Sequence, residues 1–143
     1  MVIQRKQSLF LLIAAILMGV YAFLPSLMDQ NGTPMLGGYS KGFESVETLP
    51  FILSCLVALL SFVAIFKFKS LRFQKTICVV NILIIIATLA TICCIALMHK
   101  DCDLLGSITY FNILPILAII FLLLAHKGIT HDQRLLSGSS RIR

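Results

Sequence analysis

Charge is what this sequence has least of. Asp, Glu, Lys and Arg make up 13% of its 143 residues, about half the share of a soluble domain, and acids are the scarcer sign, six against twelve bases. No charged residue interrupts four stretches, Gln7–Met28, Thr48–Phe66, Thr76–Met98 and Leu104–Ala125, of 22, 19, 23 and 22 residues. A helix needs about 20 apolar residues to cross a roughly 30 Å hydrocarbon core, so each stretch is long enough to span a bilayer. A soluble bundle would need a polar face along every helix, whereas Ile77–Met98 offers only Asn81, Thr88 and Thr91. Water is therefore excluded as the medium for most of the chain.

The same scarcity removes most chemistry. Ion-coupled transport usually leaves acids or bases within the spans, and none lies there. A hydrolase needs a Ser or Cys beside a base, and no His or acid accompanies Ser54 or Ser61. Haem would need two histidines at one depth, yet His99 and His126 fall at opposite ends of their spans, with His131 in the tail. No H-x-x-x-H or Cys–His cluster offers a zinc site, so neither metal nor cofactor is expected.

Five cysteines are present without a C-x-x-C. Cys55, Cys78, Cys93 and Cys94 lie within spans, where cysteine acts as a small hydrophobe. Cys102 stands between Asp101 and Asp103, whose negative charge disfavours a thiolate. One pairing stays open: Cys94 lies about 7 Å below the outer end of its span, within reach of a loop that carries Cys102 back onto it.

What is present is a strong drive for insertion. Phe51–Phe66 holds eleven Phe, Ile, Leu or Val residues. At roughly −0.4 kcal/mol each they contribute about −4 kcal/mol, which one mid-helix Lys, at about +3 kcal/mol, would nearly cancel. The first stretch follows Arg5 and Lys6 as a signal peptide would, but its apolar run is long and Leu24-Pro25-Ser26 stands where an A-x-A-like cleavage site should be, so it reads as an uncleaved span. The expectation is an all-α, membrane-spanning four-helix bundle forming a single integral membrane domain over 1–143. Its spans are expected near 8–27, 49–66, 76–98 and 108–125, followed by a basic tail over 126–143.

Ten of the twelve bases fall on one side if the spans alternate, giving that side a net charge of +9 and the other −3. Short loops rich in Lys and Arg stay cytoplasmic, which places both termini inside. Gln4, Arg5, Lys67, Lys69, Arg72, Lys75, Arg134, Arg141 and Arg143 are the expected cytoplasmic contact surface for anionic lipid headgroups or a protein partner, another membrane protein or a second copy. The interleaved bases and aromatics of Lys67–Lys75 are also one signature of nucleic-acid binding. A nine-residue turn between two spans, however, lies against headgroups, and no nucleic acid is expected.

Within the spans, Ala15, Gly19, Ala22 and Ser26 form a small-residue stripe expected to pack against another helix. Asn81 and Asn112 are the strongest buried polar groups and sit near opposite faces of the bilayer, each expected to bond a neighbouring helix. Pro25, Asn31-Gly32, Pro34 and Gly37-Gly38 predict an irregular outer connection or a short hairpin, and Asn31-Gly32-Thr33 is a formal glycosylation triplet. Thr48 is a candidate cap for span two, with Pro50 in its first turn. Span four, starting near Ile108, is expected to kink at Pro115, and the tail to form a short interfacial helix capped by Thr130 before fraying at Ser137–Ser140.

The two ends carry a resemblance. Met1-Val2-Ile3-Gln4-Arg5-Lys6-Gln7 running into Leu11-Leu12-Ile13-Ala14, and the basic segment His126-Lys127-Gly128-Ile129 with Asp132, Leu135-Leu136-Ser137 and Arg141-Ile142-Arg143, resemble a family of uncharacterised four-span bacterial membrane proteins, domain of unknown function 4293. The resemblance implies a bacterial cytoplasmic membrane and carries no active site. The leading functional expectation is a non-enzymatic protein acting through protein or lipid partners. The alternatives are a small transporter or channel subunit using Asn81, Thr88, Thr91, Asn112 and the Pro115 kink, and a thiol oxidoreductase using Cys94 and Cys102.

Overall fold

Small and polar residues share the interior of this protein with a few large apolar ones such as Leu11, Met18, Ile85 and Leu122, while many more large apolar side chains face out. The computed structural model describes residues 2–28, 34–36, 48–67, 70–98 and 109–140. Four long helices account for most of them: α1 (Val2–Phe23), α2 (Leu49–Phe66), α3 (Leu71–Met98) and α4 (Ile113–Ser140). All four are long and apolar enough to cross a membrane. Between 28% and 39% of each apolar window is buried, so most of the apolar surface is left for lipid.

On α2 the inward positions are Pro50, Ser54, Val57, Ser61 and Ala64, while Ile52, Leu56, Leu59 and Phe62 point outward. Lipid tails solvate leucine as well as a protein interior does, so helix association in a bilayer selects close backbone approach rather than bulk. The inward positions of α4, Pro115, Ala118, Leu122, Ala125, Ile129 and Asp132, alternate spacings of three and four. That average of 3.5 keeps one seam facing its neighbours along a left-handed pack.

Each helix packs on its neighbour in sequence, and α1 closes the ring against α4. The pairs are antiparallel: Phe23 meets Phe51 at 6.1 Å between ring centres, Asn81 reaches Ser61, and the carboxamide of Gln7 at the start of α1 donates to the Asp132 carboxyl near the end of α4. Leu27–Met28 (β1) and Pro34–Leu36 (β2) pair antiparallel, the short hairpin anticipated for the outer connection, with a register shift between Leu27 and Met28. The glycosylation triplet at Asn31 lies outside the described residues.

Several boundaries differ from the expectation. The second connection is shorter than the nine residues expected: Ser70 N–H donates to the Lys67 carbonyl and α3 begins at Leu71, so Arg72 and Lys75 ride on a helix. Pro115 does not kink a long span. A 3₁₀ turn at Tyr110–Asn112 precedes α4, and Pro115 falls in its first turn, where no helical N–H is lost. The length missing at that end is recovered at the other, because α4 runs without a break through Gly128 to Ser140, 28 residues or about 42 Å. Thr130 is no cap; its hydroxyl donates to the His126 carbonyl one turn back. Ser137 and Ser140 bond carbonyls of the same helix where fraying was expected. Thr48 takes the N-cap position of α2 without a side-chain cap bond.

Candidate functional site

Antiparallel packing gathers every lysine and arginine with a described side chain at one end of the bundle. Lys6 opens α1, Lys67 follows α2, Arg72 and Lys75 open α3, and Lys127 and Arg134 lie on the last turns of α4. Lys67 Nζ stands 5.3 Å from the centre of the Phe73 ring, a cation–π contact across the turn. Gln4 and Arg5 lie on the first turn of α1, but their side chains, with Lys69, Arg141 and Arg143, fall outside the described residues.

α3 starts five residues before its apolar run and α4 continues fifteen past its own, so these neighbouring helices bring polar turns together at the basic end. A groove of about 730 Å³ opens between them. Its α3 wall is Ser70, Leu71, Arg72 and Lys75; its α4 wall is Thr130, Gln133, Arg134, Leu136 and Ser137. Three of the anticipated contact bases thus share one concavity. Ser70, Thr130, Gln133 and Ser137 were not anticipated, although the three-four spacing that runs from Ala118 past Ala125 to Asp132 carried the signal that the helix continues.

Asp132 is the one acid among the described residues, and it does not face this groove's bases as a counter-ion. It is buried, takes the Gln7 carboxamide on Oδ2, and leaves Oδ1 without a partner. Gly128 allows the approach: a Cβ there would meet Gln7 Cγ at 3.1 Å. Gly19, expected to supply the close contact of α1, has nothing within 4 Å of where its Cβ would stand, while its stripe neighbours Ala15, Ala22 and Ser26 are buried.

The buried amides stay apart. Asn81 Nδ2 donates to Ser61 Oγ at 2.8 Å, linking α3 to α2 near the basic end, with Oδ1 unpartnered. Gln74, close by, donates to the Ala64 carbonyl at 2.9 Å, satisfying one of the last-turn carbonyls of α2. At the opposite end Tyr21 donates to Asn112 Oδ1 at 2.6 Å, and Asn112 Nδ2 donates to the Ser26 carbonyl at 2.9 Å. Thr88 and Thr91 donate to carbonyls of their own helix, at Ile84 and Thr88. The two asparagines and Gln74 tie helices together, Thr88 and Thr91 bond only within α3, and among the described residues the bonds of Asn81 and Asn112 do not join. Cys55, Cys78, Cys93 and Cys94 are free thiols, Cys93 and Cys94 on the outer surface of α3; Cys102 lies outside the described residues. Among the described residues no three of His, Cys, Asp and Glu come together as a metal site would need.

Residues 3–142 match a family model described as Domain of unknown function (DUF4293). No curated protein and no solved structure matches the chain.

Proposed function

The chain belongs to the DUF4293 family and is a multi-pass membrane protein, and from that premise we propose that it resides in a bacterial cytoplasmic membrane with both termini in the cytoplasm and works without chemistry of its own, through anionic lipid or a protein partner at its basic end. The collection of all described bases at one end of the bundle supports this reading. Lys and Arg near an anionic leaflet are each worth about 1 kcal/mol, and this attraction falls off within a Debye length of the surface. Lys67, Arg72 and Lys75 stand within four residues of the apolar runs of α2 and α3, and Arg134 nine residues past that of α4. On this reading they lie against the anionic leaflet, where that attraction acts.

The test is lipid enrichment around the intact protein. In bilayers mixing zwitterionic lipid with fluorescent phosphatidylglycerol, energy transfer from a protein-borne dye should exceed the random value and fall when Lys67, Arg72, Lys75 and Arg134 are changed to Gln. Transfer at the random value in the unmodified protein would sink the reading.

A further inference from the structure

The groove between α3 and α4 differs from a diffuse basic surface in three ways. Two helices contribute to it, so its bases converge instead of lining one helix face: Arg72 and Lys75 come from α3 and Arg134 from α4. It is an open groove of about 730 Å³, comparable in volume to small-molecule sites of roughly 300–1,000 Å³ but not enclosed as they are. Its charge is uncompensated among the described residues, because Asp132 is buried with Gln7.

The uncharged groups in the wall narrow the ligand further. The hydroxyls of Ser70, Thr130 and Ser137 already donate to the carbonyls of Lys67, His126 and Arg134, which leaves the three bases and the Gln133 amide as donors. Four donors without an opposing carboxylate suit an oxyanion. Guanidinium in particular matches the two-oxygen edge of a phosphate. Leu71 and Leu136 add apolar surface at the rim. Beyond it both helices continue into the bilayer with outward apolar side chains, Val79 and Leu83 on α3, Leu123 and Leu124 on α4.

We propose that this groove is a headgroup site for one anionic phospholipid, its phosphate held between Arg72 and Lys75 of α3 and Arg134 of α4 while its acyl chains run down the outer faces of the two helices. The inference rests on the reading of the basic end as the membrane rim. A lipid with two phosphodiesters engages all three bases, so diphosphatidylglycerol binds better than phosphatidylglycerol and phosphatidylcholine binds least.

Native mass spectrometry of the full chain released from mild detergent, with each of these three lipids added, tests it. The unmodified protein should retain one diphosphatidylglycerol per chain. Arg72→Gln with Arg134→Gln should lower that retention about thirtyfold, the loss expected for two headgroup contacts. Arg72→Lys with Arg134→Lys should restore it to within a few-fold, showing that the fold is intact. Lys6→Gln with Lys127→Gln removes the same charge from the same end outside the groove and should leave it within about twofold. Equal loss in the groove and control pairs would overturn the site while leaving a diffuse attraction standing. No loss in either pair would remove both that attraction and the site. Displacement of the lipid by millimolar inorganic phosphate would overturn the lipid assignment in favour of a soluble phosphate.

Discussion

Asn81 shows what a single polar side chain does in a bilayer. Its amide donates to Ser61 across the α2–α3 interface, where water cannot compete, yet such bonds average only about 0.6 kcal/mol because a helix alone in lipid also finds partners. A double-mutant cycle of Asn81→Ala and Ser61→Ala, followed by reversible unfolding in bicelles, should give a coupling of about 0.6 kcal/mol, with about 1.7 kcal/mol as a ceiling. A coupling of zero would mean that the bond contributes nothing. Gly128 shows the opposite economy, since its value lies in what it lacks. A Cβ there comes within 3.1 Å of Gln7, so Gly128→Leu must push α1 from α4 and should destabilise the bundle by about 2 kcal/mol. Gln7→Ala should recover part of that loss in the same assay, and Gly19→Leu, facing open space, should cost much less.

At the scale of the element, the C-terminal part of α4 is held by very little. Past Ala125 its buried residues are Ile129 and Asp132, Gly128 lies against Gln7, and the Gln7–Asp132 bond joins residues 125 apart in sequence. Gln7→Leu leaves both oxygens of a buried carboxyl without a partner, a loss of about 1–3 kcal/mol. That loss should appear as faster hydrogen exchange confined to residues 126–140. Adding Asp132→Leu should restore most of the protection, because an apolar pair of similar size leaves nothing unsatisfied. If the double change exchanges as fast as Gln7→Leu alone, the bond is not what holds this segment. α3 and α4 each continue past their apolar runs at the basic end, and their polar turns there form the two walls of the groove.

At the scale of the whole molecule, the proposed sidedness rests on charge. If the spans alternate, ten of the twelve bases share one side, and reporters active only in the cytoplasm should work when fused at either terminus, while one fused into the connection before Thr48 should not. Activity in the periplasm from a C-terminal fusion would reverse the assignment and take the proposed leaflet of the lipid site with it. Neutralising Lys67, Lys69, Arg72 and Lys75 together should yield a mixed population of orientations, since the short loop carries much of the bias.

Hydropathy and charge are sums along the chain, so the sequence by itself determined that there are four spans, the bounds of α2 at Leu49 and Phe66, and the segregation of bases to alternate connections. Those quantities need no neighbour to be read. Helix ends depend on which neighbour is there: Gln7 meeting Asp132 carries α4 fifteen residues past the apolar run, and Asn112, tied to Tyr21 and Ser26, fixes where it begins. Small residues could be found by composition, but only the packing decided that Gly128 and not Gly19 is pressed against another helix. The convergence of Arg72, Lys75 and Arg134 on one groove was likewise decided in three dimensions, because residues some sixty positions apart share a site only when their helices lie side by side.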